Sequence, residues 1–510
     1  HSYSQWDLLL YEKVKLEPNV TLLLDSACVG ATTDPATGAI RSVRVLRNGT
    51  EEAFEISAPF FADCSGDSRL GREAGAEMRM GRESRADLGE SLAPEKTDDW
   101  TLGSSILLTG RKYDTPQPFR APSWTRKFTK ADLNHRPIHS YEYGYWWFEW
   151  GGHLDTIADN EAIRHELLRI VLGIWDYVKN SGDHPDSANW ALDWVGSLPA
   201  KRESRRLVGP HLLTQADLQA GRLFPDAVAY GGWAIDLHPP KGIDATDEPP
   251  YTPTYLEGLY TIPLRALFSR NVPNLLFAGR NISASHVAFA STRVMATCAV
   301  MGQAIGTAAA VAAEQGLALA QLAEGEAAKA LQQRLLKDDA FIPGVRNEDP
   351  ADLARKGKAT ASSEQPGKEA ALVLDGIGRD LIGKLGAWAD QKPHHWASQE
   401  GALPAWIEIA LPAPTAVREI HLTFDSGFQR ELVLTASDFI NDHVVRGPQP
   451  ETVKHYRVSL DGKPVAEEPD NYLRKRVHRL AQPVTASTVR IEVLATHGAP
   501  EARLFEVRVY

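Results

Sequence analysis

Four residues of this chain have the types and spacing that acid–base chemistry needs. His286 and Arg293 stand seven positions apart in a stretch that otherwise has no charge, and Asp236 and His238 stand two positions apart in the segment YGGWAIDLH. A histidine changes its charge near neutral pH and can take a proton from an alcohol or an amine. We predict that His286 and Arg293 are catalytic and that Asp236 orients His238. The alternative is that each histidine only packs, which is the commoner role of a lone histidine.

Residues that bind the substrate are predicted in a charged segment and in an aromatic one. The charged segment KRESRR (201–206) holds three arginines that could clamp a substrate carboxylate, Arg202, Arg205 and Arg206. A solvated run of charge is an equally good interpretation of it. The aromatic segment YEYGYWWFEW (141–150) holds Trp147, which could floor a sugar site together with Tyr145, Trp146 and Trp150. Core packing is the expected role for about half of these rings.

The element that would position the first histidine runs from Asn274 to Ala313. A short apolar run that ends at Gly279 predicts a strand, an irregular polar stretch follows it, and a helix of small residues begins near Thr292. A strand that ends at a glycine and leads into a helix N-terminus is one way in which protein backbone approaches a phosphate or a flavin ring. The alternative is an ordinary strand and helix of any α/β core.

The composition limits the class of protein. The chain has 510 residues, of which 43% are hydrophobic and 24% charged, and this indicates a folded protein of roughly two to four domains. Its net charge of −11, without a basic block, argues against a nucleic-acid partner. Three widely spaced cysteines, Cys28, Cys64 and Cys298, make neither a disulfide framework nor a CxxC metal motif.

Two further patterns bear on membranes and on domain organisation. The stretch from Val294 to Ala313 has no charge, but it is mostly Ala and Gly, so we predict a buried core helix and no transmembrane segment. Residues 19–63 alternate like a β-meander, and short alternating strands also fill residues 357–510 and predict a β-sandwich. Between these parts, the composition of residues 344–356 predicts a linker.

Several segments, in order, resemble the FAD-dependent oxidoreductase family of the glutathione-reductase-like flavoprotein group. They are FADCSGDSRLGREAGAEMRMGRES (61–84), YWWFEWGG (145–152), KRESRRLVGPHLLTQADL (201–218), YGGWAIDLH (230–238) and the strand–glycine–helix element. The resemblance covers residues 1–343 and implies an α/β (α+β) fold, a Rossmann-like FAD-binding domain with an inserted substrate domain at about 100–270. It also implies that residues 271–315 close over the flavin.

The resemblance implies FAD as the cofactor and assigns residues to it. These are Gly66, Asp67, Gly279, Arg280, Asn281, Ser291, Thr292, Arg293, Val294 and Gly302. The sequence departs from the family at Arg280, where many relatives have an aspartate, and an arginine suits a pyrophosphate better than a ribityl chain. The GxGxxG loop that would hold the ADP part is not found in these residues. We therefore expect an incomplete FAD-binding domain, completed by a lost N-terminal part or by another chain.

The C-terminal segment resembles a discoidin-type, galactose-binding-like domain. The resemblance is carried by Ala359–Ser363, Asp375-Gly376, Trp388, Trp396 and Trp406–Leu411. It implies an all-β jelly-roll sandwich that could bind a glycan. It also implies a possible calcium site at Asp375 and Glu506, although Asp375-Gly376 could equally be a plain turn.

Together these patterns predict an FAD-dependent oxidoreductase that oxidises a C–OH or C–N group by hydride transfer to the flavin. The expected substrate is a small sugar-like or polyhydroxylated molecule. The alternatives are a carbohydrate-binding or attachment protein with a vestigial flavin region, and a fragment with no activity of its own. A periplasmic or extracellular setting is compatible with the sandwich, and the sequence does not fix the compartment.

Overall fold

The structure is a computed structural model that describes residues 3–430, 435 and 437–510. The chain divides into two compact units, the first mainly residues 1–328 and the second mainly residues 329–510. The helices are α1 (Tyr3–Lys15), α2 (Arg69–Glu73), α3 (Arg85–Leu88), α4 (Asn160–Asn180), α5 (Gln215–Gln219), α6 (His286–Thr292), α7 (Met295–Gln315), α8 (Leu319–Leu322), α9 (Gly325–Lys337) and α10 (Asp438–Asn441).

Short strands make up much of the first unit. They are β1 (Ser26–Thr33), β2 (Ile40–Arg47), β3 (Glu52–Ser57), β4 (Phe61–Asp63), β5 (Met78–Arg79), β6 (Ser104–Ser105), β7 (Leu108–Lys112), β8 (Glu149–Trp150), β9 (Trp190–Val195), β10 (Ala200–Lys201), β11 (Arg206–Leu207), β12 (Ala227–Gly231), β13 (Ile235–Leu237), β14 (Thr252–Thr254), β15 (Tyr260–Pro263) and β16 (Leu275–Phe277). The strands β1, β2 and β3 form the predicted antiparallel meander.

A parallel pair lies at the centre of the region that the sequence analysis singled out. β16 pairs with β4 so that Leu275 stands opposite Phe61 and Phe277 opposite Asp63. Because the strands are parallel, their carboxyl ends lie at the same edge, and the loops that follow are neighbours. In the described part of the chain this is the one parallel ladder between named strands, so these residues do not form the multistranded parallel sheet of a Rossmann-like domain.

The middle of the first unit is built on α4. Its buried residues recur every three or four positions, as in Ile163, Leu167, Ile170 and Ile174, and so form one apolar face. That face packs with the aromatic segment 141–150 in a hydrophobic core. The core holds in place the end of the aromatic segment, which forms β8.

The helix α7 is buried on one face only. Its buried residues are Thr297, Met301, Ala304, Ile305, Ala308, Val311 and Ala312. The prediction of a buried core helix therefore holds for this face and not for the opposite one, where Gly306 and Ala310 are exposed. Among the described residues α7 is the one helix long and apolar enough to cross a membrane, a test that core helices also pass.

The second unit is an antiparallel β domain. Its strands are β17 (Lys358–Ala361), β18 (Trp396–Ala397), β19 (Ala405–Phe424), β20 (Val453–Leu460), β21 (Lys463–Glu468), β22 (Lys475–Thr496) and β23 (Arg503–Val509). They pair in the order β18-β23-β19-β22-β20-β21, and β17 adds to β19. The pairing of β19 with β22 is interrupted after Ala410 and again after Val417, and such irregularities bend a strand. Both halves of β19 accordingly contribute to one core.

Residues 344–356, for which the composition predicts a linker, belong to the second unit. Asn347, Asp352 and Ala354 are buried there. The Asp352 carboxylate accepts a hydrogen bond from the Val509 amide at 2.9 Å. A segment rich in polar residues and proline has the composition of a linker, but these polar side chains cap the end of a strand instead.

Candidate active site

The loops after β4 and β16 bring Gly66, Asp67, Gly279 and Arg280 together. Gly66 has φ +74° and Gly279 has φ +111°, backbone conformations that favour glycine. A Cβ at Gly66 would lie 2.0 Å from Nη1 of Arg280, so the guanidinium lies directly against the Gly66 backbone. Nη2 of Arg280 donates to the Asp67 carboxylate at 2.7 Å. Arg280 therefore binds this loop rather than pointing away from it.

Asp67 is the anionic centre of this cluster. Besides Arg280 it accepts a hydrogen bond from the Ser204 hydroxyl at 2.7 Å and is ion-paired with Lys201. Burial alone would raise the pKa of Asp67, but Lys201, Ser204 and Arg280 together lower it below its usual value. The carboxylate is therefore ionised, and two cations share one anion at this edge of the sheet.

Asn281 fastens the two strand ends to each other. It is fully buried, and its side-chain amide donates to the Asp63 main-chain oxygen at 3.2 Å. Its own main-chain oxygen accepts from the Leu207 amide at 2.9 Å. The side-chain oxygen of Asn281 is buried and has no hydrogen-bond partner, so it remains available to a bound group.

The helix α6 carries His286, Ser291 and Thr292, and all its residues are buried. Ser291 contacts the protein itself, donating to the Trp233 main-chain oxygen at 2.6 Å and meeting the Tyr260 hydroxyl at 2.8 Å. The Thr292 hydroxyl is buried without a hydrogen-bond partner. Of the predicted cofactor residues on this helix, Thr292 is thus available to a ligand, whereas Ser291 is engaged.

The remaining predicted cofactor residues lie at the start of α7. Val294 is the residue that precedes the first turn, with φ −69° and ψ 144°. Gly302 lies two turns into the helix, where an added Cβ would meet no atom within 4 Å. The structure therefore provides space at Gly302 but no contact that assigns it to a cofactor.

His286 begins α6 and forms a buried pair with Glu203. Nδ1 of His286 lies 3.1 Å from Oε1 of Glu203, whose side chain is fully buried. Nε2 of His286 makes no hydrogen bond with the described residues. Burial alone would raise the pKa of Glu203, but His286 and Arg206 lower it, so the carboxylate stays ionised. A carboxylate at Nδ1 and a free Nε2 is the arrangement of an oriented general base.

Arg206 connects two of the buried carboxylates. Its side chain is 1% exposed, with Nη2 donating to Glu83 at 3.1 Å and Nη1 lying 3.3 Å from Glu203. Nη2 also donates to the Gly81 main-chain oxygen at 2.7 Å. The prediction that Arg206 clamps a substrate is therefore wrong, because its charge is already used inside the protein.

The other two arginines of the segment lie apart from Arg206. Arg202 donates to the Trp146 main-chain oxygen and to the Ser105 hydroxyl at 2.8 and 2.9 Å, and it lies 3.4 Å from Glu149. Arg205 is partly buried and makes no ion pair within the described residues, and its Nε is buried without a partner. The three arginines therefore do not act as one clamp, and Arg205 keeps the capacity to bind an anion.

His238 is held between two carboxylates. Its Nδ1 lies 2.6 Å from Glu149, and its Nε2 lies 3.2 Å from Asp236. Arg293 donates to the same Asp236 oxygen at 2.8 Å. Burial alone would lower the pKa of His238, but Glu149 and Asp236 raise it above its ordinary value. Because both ring nitrogens are occupied, His238 is suited to carry a positive charge and not to act as a free base.

We expect the pairing of His238 with Glu149 and Asp236 to make the stability of the protein depend on pH. A raised pKa means that the folded state holds the proton more tightly, so the stabilisation is complete below pH 6.5, the ordinary histidine value, and is lost as the pH rises through the folded pKa. Urea unfolding of the wild type and of His238→Gln across this range measures it. The difference between the two proteins should shrink as the pH rises, and a constant difference would contradict the prediction.

The aromatic segment places its rings on two sides. Trp147 is 3% exposed and stacks on Tyr145 with ring centroids 4.9 Å apart, inside the hydrophobic core. The prediction that Trp147 contacts the substrate is therefore wrong. Its neighbour Trp146 is 42% exposed and lies against His238, with centroids 5.3 Å apart. The two residues are the central positions of a turn, closed by a hydrogen bond from the Phe148 amide to the Tyr145 main-chain oxygen at 3.0 Å. Only Trp146 of the two is exposed beside His238.

The predicted calcium ligands do not form a metal site. Asp375 accepts from His394 at 2.6 Å, whereas Glu506 pairs with Arg508 at 2.8 Å. Among the described residues no group of three or more His, Cys, Asp or Glu side chains is arranged to hold a metal ion. The structure therefore gives no support to the calcium prediction, because each carboxylate already has a partner in the protein.

The sequence profile described as FAD dependent oxidoreductase matches residues 4–335. The chain belongs to the FAD-dependent oxidoreductase family. Among the curated proteins, none matches this chain significantly.

Part of this chain is similar to solved structures of carbohydrate-binding modules. A chitosan-binding module from the chitosanase/glucanase of Paenibacillus sp. IK-5 is 20% identical and covers 31% of this chain and 98% of its own, with a TM-score of 0.23. The family 32 carbohydrate-binding module of Streptococcus pneumoniae EndoD is 16% identical and covers 31% and 99%, also with a TM-score of 0.23. The family 32 module of C. perfringens NanJ, solved with galactose, is 17% identical and covers 31% and 95%, with a TM-score of 0.22. Scores this low carry no conclusion about a ligand of this chain.

The residues at the ends of β4 and β16 fit the cofactor that the family implies. Gly279 leaves the backbone open to close approach, whereas Gly66 is covered by the Arg280 guanidinium. Arg280 and Arg205 supply positive charge for a phosphate. Buried polar atoms without partners occur at Arg280 Nε, Asn281 Oδ1 and Thr292 Oγ1. A ligand with hydroxyl and phosphate groups could satisfy them.

The sequence analysis missed the carboxylates that organise the site. They are Glu83, Glu149 and Glu203. A usable signal was present at Glu149, since an acid in a run of aromatic residues is expected to be buried and therefore paired. Glu203 stands among arginines in KRESRR, and a run of charged residues is expected to be solvent-exposed. The sequence therefore gives no sign that Glu203 is buried.

Proposed function

We propose that this protein oxidises a C–OH or C–N group of a sugar or another polyhydroxylated molecule, with His286 as the general base. The observation that carries the proposal is the His286–Glu203 pair at the start of α6. Its Nδ1 lies 3.1 Å from a fully buried carboxylate, and its Nε2 has no partner among the described residues. His238, the other candidate, has both nitrogens engaged. Of these two histidines, His286 is therefore the one whose second ring nitrogen is free to receive a proton.

The chain's residues then have distinct roles. FAD, when bound, accepts the hydride that leaves the substrate carbon. His286 Nε2 takes the proton from the substrate hydroxyl or amine, and Glu203 holds the ring in place and stabilises its positive charge. Removing that proton favours loss of hydride from the same carbon. The buried position of both residues keeps bulk water from competing for the proton.

The domain roles follow from the same proposal. Residues 271–315 close over the flavin, and Gly66, Gly279, Arg280 and Asn281 hold the cofactor. Residues 100–270 form the substrate domain, and residues 357–510 form a sandwich with a possible glycan ligand. The parallel ends of β4 and β16 support the first assignment, because they place all four cofactor residues at one edge.

Titration of the full chain with FAD tests the proposal, followed by anaerobic addition of polyols, sugars and amines. We expect the flavin absorbance to shift on binding and to bleach with a substrate. Gly66→Val is the variant to compare with the wild type. The valine side chain would overlap Arg280, so this variant should bind FAD more weakly. Failure of the wild type to bind FAD, combined with glycan binding by the same chain, would instead favour the carbohydrate-binding alternative.

A further inference from the structure

An exposed tryptophan borders the buried charges of the candidate active site. Trp146 is 42% exposed and lies against His238, with ring centroids 5.3 Å apart. Its other neighbour is Tyr251, at 5.1 Å and nearly perpendicular. The main-chain oxygen of Trp146 accepts hydrogen bonds from Arg202 at 2.8 Å and from the Ser105 hydroxyl at 2.8 Å. The indole is thus exposed, while its backbone is fixed from two sides.

Asp236 and Arg293, which both contact His238, retain hydrogen-bonding capacity. Arg293 and Asp236 are paired at 2.8 Å through Nη2 and Oδ2. The second oxygen of the carboxylate, Oδ1, and Nε of the guanidinium are buried and make no hydrogen bond. A buried acceptor and a buried donor without partners each carry a desolvation cost, which a bound hydroxyl group would remove.

We propose that Trp146 and Tyr251 form the wall on which a saccharide ring stacks, with adjacent hydroxyl groups of that ring bound by Asp236 and Arg293. This inference rests on the proposed function, because it names the substrate class of the same site. One hydroxyl donates to Asp236 Oδ1 and its neighbour accepts from Arg293 Nε. The apolar C–H face of the ring covers the indole, whose exposed surface is then removed from water.

The chemistry of the wall favours a saccharide over a flat aromatic ligand. An aromatic ring would cover Trp146 equally well but would leave the Asp236 acceptor and the Arg293 donor without partners. A carboxylate ligand would pair with Arg293 but would be repelled by Asp236. Only a ring that has an apolar face and neighbouring hydroxyl groups satisfies the indole, the acceptor and the donor together.

The test is binding of methyl glycosides of glucose, galactose and N-acetylglucosamine to the full chain, measured by saturation-transfer NMR and calorimetry without any flavin readout. We expect Trp146→Ala to weaken binding about tenfold, because the variant loses both the stacked ring and the apolar area that it covers. Trp146→Phe should restore most of the affinity. Trp124→Ala is the matched control, since Trp124 is 50% exposed and has no contact with these residues. Circular dichroism checks that each variant is folded.

Three results would overturn the inference. They are an unchanged affinity in Trp146→Ala, the absence of glycoside binding to the wild type, and binding of phenol in preference to every glycoside. The outcome is separable from that of the proposed function. Glycosides that bind through Trp146 but never reduce the flavin support the wall and contradict the oxidation. Reduction by a substrate without a sugar ring, with no glycoside bound, contradicts the wall alone.

Discussion

Arg206→Met is expected to destabilise the first unit by about 3–5 kcal/mol, the usual result of removing one partner from a buried ion pair. Arg206 is 1% exposed and lies 3.1 Å from Glu83 and 3.3 Å from Glu203. Methionine has a similar length and fills most of the space, so the loss measures the charge rather than a cavity. Urea unfolding at neutral pH, followed by tryptophan fluorescence, gives the change in the free energy of unfolding.

Arg79→Met is the matched control, because Arg79 lies 3.6 Å from the Glu83 carboxylate, as Arg206 also does at 3.1 Å, but its side chain is 43% exposed. An exposed ion pair contributes about 0–1 kcal/mol, so this variant should unfold almost like the wild type. Equal losses in the two variants would show that burial of Arg206 has no special energetic role. A second sign of the mechanism is expected in acid. Arg206 helps to lower the pKa of Glu203 in the wild type, and this contribution to stability is lost as Glu203 takes up a proton. The difference in unfolding free energy between Arg206→Met and the wild type should therefore narrow as the pH falls.

Local patterns in the sequence predicted the parts of the fold that depend on neighbouring residues. The meander of β1–β3 follows from alternation and turn residues within a few positions. The strand and the glycine of the strand–glycine–helix element were likewise visible, and β16 ends two residues before Gly279. Such features are encoded within one element, so a single sequence contains what is needed to predict them. The irregular stretch predicted before Thr292 was wrong at its end, because His286–Thr292 form the helix α6.

The pairs that define the site could not be predicted in this way. His286 meets Glu203 across 83 positions, and His238 meets Glu149 across 89. The spacing of residues within one segment does not show which distant segment they contact. The identity of an acidic residue likewise does not show whether its side chain is exposed to solvent or buried. Arg206 shows the same limit, since a cation in a charged run looks exposed until its partners are known.

The aromatic segment shows a second reason. Trp146 and Trp147 are identical residue types at the two central positions of a turn, yet one ring is exposed and the other is buried. The sequence does not show which of the two rings is the buried one. Packing against α4 selects Trp147 for the core, and this selection depends on a helix that begins more than ten residues later. The exposed ring is therefore known only from the structure.

His286→Gln is expected to slow flavin reduction by about 10²–10⁴-fold, the usual contribution of a positioned general base. Glutamine can still donate to Glu203, so the buried carboxylate keeps a partner, but it cannot accept the substrate proton. FAD affinity should be unchanged, because the cofactor residues lie at the ends of β4 and β16. Anaerobic stopped-flow measurement of flavin bleaching gives the rate, and titration with FAD gives the affinity.

Chemical rescue separates this chemical role from a structural one. Added imidazole should restore part of the activity of His286→Ala, which has space for it.

Glu203→Gln and a distant histidine complete the argument. Glu203 acts through His286 as a positioning residue, so Glu203→Gln should slow flavin reduction less than His286→Gln does and should not respond to imidazole. His184→Gln is the control, because His184 contacts Tyr141 and Tyr177 outside the site and should leave the rate of flavin reduction unchanged. A His286→Gln variant that reduces flavin as fast as the wild type would exclude His286 as the base. With both nitrogens of His238 bound, the proton would then have to leave the substrate without help from either histidine.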